Sequence, residues 1–403
     1  MAMVDLEVGL SEEEVAVRDL AHKFAVEVMR PAGIALDRLD DPQQVIAEGS
    51  VLYDVHSRYR ALGLSALSES VQDPVMRARM SYLVQEELGY GDAGLAISLG
   101  AGSMHKPFIA AIGSAELAER YNAPDSTDIG CWAITEPNHG SDTLADSNEV
   151  YEPPSTKPDL LAELDGDHYV LNGQKAAWVS NGSIATVALL FLNIMKGGKL
   201  EGGAIGIVPL DVPGVTKGKA LDKLGQRSLN QGEIYFDNVR VPASYVFVGP
   251  DGHPYFRELV LAIANMHMGI TFCGLTRASL ELAEAYTRER IQGGKRLCEH
   301  GTVRSRLFKM FAKAEAARSL SRRVFLYNST NPPQLHYSVA SKVFSTDTAF
   351  EVTTAALQLF GGNGLTREYP IEKLLRDARA SQIEDGCNEY LGMVAGGKLG
   401  VPA

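Results

Sequence analysis

The amino-acid sequence predicts an α+β protein of several domains: a helical N-terminal domain, a strand-rich middle domain and a C-terminal helical bundle. Three observations carry this. The apolar periodicity is helical at first, alternates like strand from Cys131, and turns helical again after about Pro254. The 403 residues suffice for two or three domains at about 150 residues each. A content of 45% hydrophobic and 22% charged residues is that of a soluble globular chain with sizeable cores. The boundaries fall at 1–129, 130–249 and 250–403.

In order along the chain, Ser11 and Glu14 have the spacing of a capping box, heading an amphipathic run that Pro31 is expected to close. A second helical run, Ala78–Tyr90, ends at the turn signal Gly91-Asp92. In the middle domain, His168–Leu171 and Ala176–Val179 flank Asn172-Gly173, which predicts a hairpin turn there. Further strands are expected over Thr186–Asn193, Ala204–Pro209 and Glu233–Arg240, enough for a small barrel or sandwich. The proline-rich stretch Tyr151–Pro158 reads as a surface insertion. Beyond Pro254, Phe272, Leu275, Leu282 and Tyr286 mark one helical face, and Val303, Leu307, Met310, Ala314 and Ala317 a second. Val339, Val343, Phe350, Leu357 and Phe360 mark a third, and Ile371 opens a fourth segment, as in an up-down bundle.

Composition also excludes classes of function. Fifty acidic against 38 basic residues leave a net charge of −12, a poor match for nucleic acid or an anionic membrane. No apolar run is expected to approach the ~18 residues of a spanning helix, and MAMVDLEVG, with neither a basic nor an apolar stretch, is not expected to act as an export signal. The four cysteines lack CxxC spacing, so a cytoplasmic location is expected, with neither disulfides nor zinc. The histidines show no HExxH spacing, so no metal is expected, and no GxSxG occurs.

Four segments can carry chemistry. In CWAITEPNHGSD (131–142) a short strand meets a turn of small and polar residues, offering N–H groups and the hydroxyls of Thr135 and Ser141. In KAAWVSNG, Trp178 can cover a flat ring while Ser180 supplies a hydrogen bond. LFGGNGLTREYP (359–370) follows a helical run rather than a strand, so it is no dinucleotide fingerprint; it permits close backbone approach by a ligand or a neighbouring chain. SQIEDGCNE (381–389) sets Glu384 and Asp385 before Gly386; adjacent helical carboxylates point about 100° apart, unlike a glycosidase pair, and one can serve as a general base.

Taken in order, CWAITEPNHGSD, LNGQKAAWVSNG, LDKLGQRSLNQGEIYFDNVRVP, YTRERIQGGK and LQLFGGNGLTREYPIEKLLRDARASQIEDGCNE resemble the acyl-CoA dehydrogenase family over nearly the whole chain. The resemblance implies a middle β-barrel, a C-terminal four-helix bundle, FAD as cofactor and an acyl-CoA substrate. It also implies a homotetramer, and an electron-transfer flavoprotein or similar acceptor. Flavin contacts are implied for Trp132, Ile134, Thr135, Ser141, Trp178, Ser180 and Cys387, and, across a subunit interface, for Arg290, Gln358, Gly361 and Gly362. Asp385 falls where most members carry the catalytic glutamate, with Glu384, Gly386 and the more distant Asp92 about the substrate.

The departures are specific. Aspartate is one methylene shorter than glutamate, which points away from a straight fatty acyl chain. Glu384 stands where tyrosine is common, and Gly293 where phenylalanine is. Ala264 occupies the alternative base position of isovaleryl-type members. Aspartate at 385 is similar to members acting on alicyclic CoA thioesters, and also to nitroalkane oxidase. That oxidase pairs its aspartate with an arginine seven residues on, where Gly392 stands. A flavin-binding scaffold without turnover is the remaining alternative.

Overall fold

The computed structural model describes residues 5–64, 70–123, 125–144 and 158–399, so of the expected insertion Tyr151–Pro158 all but Pro158 lies outside the described residues. Helix α1 (Glu12–Phe24) begins with the capping box: the Ser11 hydroxyl accepts from the Glu14 N–H while the Glu14 carboxylate accepts from the Ser11 N–H. Its inner face buries Val17, Ala21 and Phe24. Pro31 does not close the run. A π-helical turn, Ala25–Met29, leads directly into α2 (Arg30–Asp37), with Pro31 in its first turn. The widened turn accommodates the missing proline N–H, and the helix continues to Asp37.

Helix α3 (Val51–Leu62) stops at left-handed Gly63, φ 63°. Only Asp92 separates α4 (Pro74–Gly91) from α5 (Ala93–Ser103), ending one and capping the other. Helices α6 (His105–Ile112) and α7 (Ala115–Tyr121) precede the strands.

The strands are β1 (Gly130–Ala133), β2 (Leu161–Asp165), β3 (His168–Ser180), β4 (Val187–Lys196), β5 (Lys199–Pro209), β6 (Val215–Lys217), β7 (Gln231–Pro242) and β8 (Val246–Val248). They form one sheet in the order β6-β7-β3-β1-β4-β5-β8, with β2 following β1 in the slot between β3 and β4. On β4, Ala188, Leu190, Leu192 and Ile194 face an interior shared with Leu171, Val179, Val208, Ile234 and Val239 of other strands. The alternate residues Val187, Leu189 and Phe191 pack on Ile109, Leu117, Tyr121 and Val260 of helices. A sheet whose strands enclose a common interior is rolled on itself, as a small barrel is; β6 and β8 are its edges.

The hairpin turn lies at Gly166-Asp167 rather than at Asn172-Gly173: Asp165 pairs with His168, and Gly166 has φ 64°. β3 runs through Asn172-Gly173, where its register against β7 slips and Gly173 takes φ 132°. A Cβ on Gly173 would stand 1.8 Å from the Asp159 carbonyl oxygen. The glycine therefore serves a bulge that another segment crosses at close range.

The C-terminal part holds α8 (His253–Glu289), α9 (Gly301–Thr330), α10 (Leu335–Phe360), α11 (Ile371–Ser381) and α12 (Asn388–Leu399). Helix α4 packs into this bundle backbone to backbone: a Cβ on Gly274 of α8 would lie 2.1 Å from the Glu86 carbonyl oxygen. At the same crossing Glu86 is 1% exposed and ion-paired with Arg277, Arg318 and Arg322. Burial pushes its pKa up, but the three guanidinium groups outweigh this and hold it at about 2. One expectation needs correcting here. Two helical stretches, Ala93–Ile112 and His253–Glu289, are long and apolar enough to cross a membrane by length and composition. In the second, 83% of the apolar window is buried within the protein, because α8 is packed on all sides by other helices.

Candidate active site

The site is built on the turn between α11 and α12. After Ser381 the helix unwinds: the N–H groups of Ile383 and Glu384 both turn back to the Ala380 carbonyl, and the Asn388 N–H closes on Gln382. Asp385 and Gly386 are both left-handed, with φ 51° and 91°. Glu384 and Asp385 are thus placed by a turn and not by helical spacing. Aspartate tolerates this conformation better than most residues with a side chain.

The turn is pinned from three elements. Lys342 of α10 donates to the Gly386 carbonyl (2.9 Å) and to Asn388 Oδ1 (2.7 Å). Asn388 Nδ2 donates to Thr346 Oγ1 and Asp347 Oδ1 of the same helix. From α8, Asn265 Nδ2 approaches the Asp385 carbonyl at 3.5 Å. From the middle domain, Ser141 Oγ accepts the Cys387 N–H at 3.0 Å. Ser141 and Cys387, both expected at a flavin, are therefore in direct contact.

Loss of hydration raises the pKa of Asp385 above the usual carboxylate range, with Lys342 opposing it. Glu384 is pushed up to about 7 by burial and by the charge of Asp385, against the pull of Gln226, Lys342 and Lys223. Gln226, itself left-handed at φ 49°, donates its side-chain N–H to Glu384 Oε1 (2.5 Å) and its backbone N–H to Asp377 Oδ1 (2.5 Å). Burial lowers Lys342 and Lys223 to about 8 each. Lys223 donates to Gln231 Oε1 (2.8 Å), and Gln231 Nε2 reaches Ser180 Oγ (3.4 Å) and the Trp178 carbonyl (3.3 Å). This chain of polar contacts leads toward the second group of expected residues.

That group lies on adjoining strands. Trp132 on β1 is directly opposite Ser180 on β3, and the Ala176 N–H donates to the Thr135 carbonyl. The Trp178 indole is 58% exposed, unusual for so large an apolar ring. The Trp132 indole N–H is buried with no acceptor among the described residues, and Ile134 packs between two hydrophobic clusters. Arg290, Gln358, Gly361 and Gly362 gather elsewhere, exposed where α8 and α10 end. Tyr286 stacked on Phe360 at 4.1 Å holds those two ends together. No hydrogen bond among the described residues joins them to Asp385 or Trp178.

Asp92 has a different task from the substrate contact expected of it. It is 3% exposed, and its oxygens accept from the Leu95 N–H (2.9 Å), Ser228 Oγ (2.7 Å) and Lys373 Nζ (2.6 Å). Lys373 also binds Asp377 at 2.6 Å, so Asp92 belongs to a buried ion cluster joining the three parts of the chain. Conversely, Lys342, Asn265, Lys223 and Gln226 were missed. Lys342 gave one signal: a cation at helical spacing from Val339 on an otherwise apolar face.

The fold and the setting of the site match a known family. Residues 131–239 match the family description "Acyl-CoA dehydrogenase, middle domain", and residues 251–399 match "Acyl-CoA dehydrogenase, C-terminal domain". The short-chain-specific acyl-CoA dehydrogenase of Megasphaera elsdenii is 32% identical over 79% of this chain and 82% of its own. The cyclohex-1-ene-1-carbonyl-CoA dehydrogenase of Geobacter metallireducens is 30% identical over 98% of this chain and 99% of its own. The structure of butyryl-CoA dehydrogenase from Megasphaera elsdenii superposes with a TM-score of 0.83 at 27% identity, over 98% of this chain and 100% of that one. The chain belongs to the acyl-CoA dehydrogenase family; it is an oxidoreductase of acyl-CoA thioesters with FAD as cofactor. Its residues fit that group: an exposed indole for a flat ring and, on the adjoining strand, an indole N–H with no acceptor among the described residues.

Proposed function

We propose that this chain oxidises the Cα–Cβ bond of an alicyclic or branched acyl-CoA, with Asp385 as the base that removes the α-proton. The observation that carries the proposal is the setting of Asp385: partly accessible, on a pinned left-handed turn, with its pKa raised by lost hydration. A carboxylate in that state is a stronger base than one in water. The Asp385 amide N–H has no acceptor among the described residues. It is suited to hold the thioester oxygen as negative charge develops there.

Trp178, Thr135, Ser141, Ser180 and Cys387 would hold FAD within one chain, with Trp132 and Ile134 behind them. Bound there, FAD supplies the acceptor for the β-hydride. Arg290, Gln358, Gly361 and Gly362 would serve the flavin of a second copy, which makes a homotetramer part of the proposal. An electron-transfer flavoprotein or similar carrier as electron acceptor rests on the family resemblance. A cytoplasmic location is supported by the four unpaired cysteines.

The ring preference rests on reach. Aspartate ends about 1.5 Å short of glutamate, which leaves room for bulk at Cα and Cβ. The likeness to the Geobacter cyclohex-1-ene-1-carbonyl-CoA dehydrogenase supports it. Anaerobic mixing with straight, branched and alicyclic acyl-CoAs tests both levels. Ring or branched thioesters should bleach the flavin fastest. Fastest bleaching by straight chains would overturn the substrate class, and bleaching by none would overturn the activity.

A further inference from the structure

Lys342 is 0% exposed, yet neither of its hydrogen-bond acceptors is a carboxylate. No ion pair among the described residues neutralises it, so its charge acts across the site. Its contact with the Gly386 carbonyl has a counterpart on the same peptide group: the Cys387 N–H is held by Ser141 Oγ. The Gly386–Cys387 peptide is thereby fixed from both sides, and with it the direction of the left-handed turn before it.

We infer that Lys342 is the positioning residue of the Asp385 base: its ammonium clamps the turn and supplies the positive charge that keeps the carboxylate ionised. This rests on the proposed role of Asp385. The titratable groups facing Lys342 are Asp385, Glu384 and Cys387 from the turn and Asp347 from its own helix. Lys223, the other nearby cation, acts on Glu384. Without Lys342, lost hydration alone acts on Asp385, and a protonated carboxyl accepts no α-proton. Lys342 itself is lowered to about 8 by burial, so its charge is present at neutral pH and lost above that value. Flavin reduction should therefore rise with pH as Asp385 ionises, and fall to a lower plateau as Lys342 is deprotonated, because a neutral amine donates more weakly to the Gly386 carbonyl and loosens the turn.

The test is the pH profile of anaerobic flavin reduction in the holoenzyme, with the fastest acyl-CoA of the panel. The wild type should show an alkaline limb near about 8; its absence would overturn the inference. In Lys342→Met, which lacks the clamp at every pH, reduction should be slower throughout, the acid limb should move up by about one pH unit or more, the usual effect of losing a close opposite charge, and the alkaline limb should vanish. In Lys342→Arg the acid limb should stay while the alkaline limb vanishes, because a guanidinium does not deprotonate in this range. Unmoved limbs in a Lys342→Met enzyme that retains flavin would reduce Lys342 to a structural lysine. If both Lys342 variants lose flavin, Asn388→Ala replaces them. It frees one of the two Nζ contacts, and should slow reduction without removing the alkaline limb; an unchanged rate would count against the clamp. Lys223→Met and Glu384→Gln should keep that limb, and its loss in either would reassign it. Near-normal reduction in Asp385→Asn would overturn the base itself, an outcome distinct from any failure at Lys342.

Discussion

Asp385, the proposed base, is one methylene shorter than glutamate. Lengthening it by Asp385→Glu carries the carboxylate about 1.5 Å further from a fixed turn, into the space that a ring would fill. The variant should shift preference from alicyclic or branched toward linear acyl-CoA, measured as the ratio of flavin-reduction rates. An equal gain on every substrate would remove the link between side-chain length and substrate shape. Trp178→Ala should weaken FAD binding by about 0.5–1.5 kcal/mol, the range for an aromatic stack; equilibrium dialysis of flavin from the two proteins reads it directly. At this scale the candidate-site residues Asp385, Gly386, Trp178 and Ser180 stand out in the sequence because each sits in a short contiguous motif. Lys342 does not, since its partners lie at the turn between α11 and α12, 44 and 46 residues away in sequence. Asp92 misled for the opposite reason: an aspartate at a helix start serves capping and chemistry alike, and only Lys373 and Ser228 show which.

Between elements, the contact of α4 with α8 depends on glycine. Gly274 lets the helices touch, and an added methyl group would meet the backbone of Glu86 and Tyr90 at 2.1 and 2.5 Å. Neither is the mobile end of a side chain, so the helices must separate. Gly274→Ala should cost about 1–3 kcal/mol, as overpacking does, with the midpoint of urea unfolding falling accordingly. An unchanged midpoint would mean that the helices part without loss, contrary to the buried Glu86 cluster at their crossing. The same scale explains two misread elements. Asn172-Gly173 has the composition of a hairpin turn, but its glycine answers to Asp159, a neighbour the local sequence does not announce. Pro31 marks a helix end in isolation, yet the π turn before it leaves room to continue.

The order of the three parts was legible because core-facing periodicity changes from 3.6 to 2 and back. How the parts join was not. That depends on Lys373 between Asp92 and Asp377, on Gln226 between Asp377 and Glu384, and on Arg376 with Asp37, contacts made across long stretches of sequence. The molecule therefore places Asp385, the proposed base, at a junction of all three, while Arg290, Gln358 and Gly361 remain exposed. A second copy completes the flavin site in the proposed arrangement. Light scattering of active enzyme should give a tetramer, with a dimer as the smallest competent unit; an active monomer would contradict the shared site.

The most direct measurement of the proposed chemistry is rapid anaerobic mixing of Asp385→Asn with the fastest acyl-CoA of the panel. The variant should keep its fold, its yellow flavin and its acyl-CoA affinity, while flavin reduction slows by at least about 100-fold, the usual loss for a positioned base. Near-normal reduction by that variant would contradict the assignment and pass the role of base to Glu384, the neighbouring carboxyl group whose pKa is pushed up to about 7.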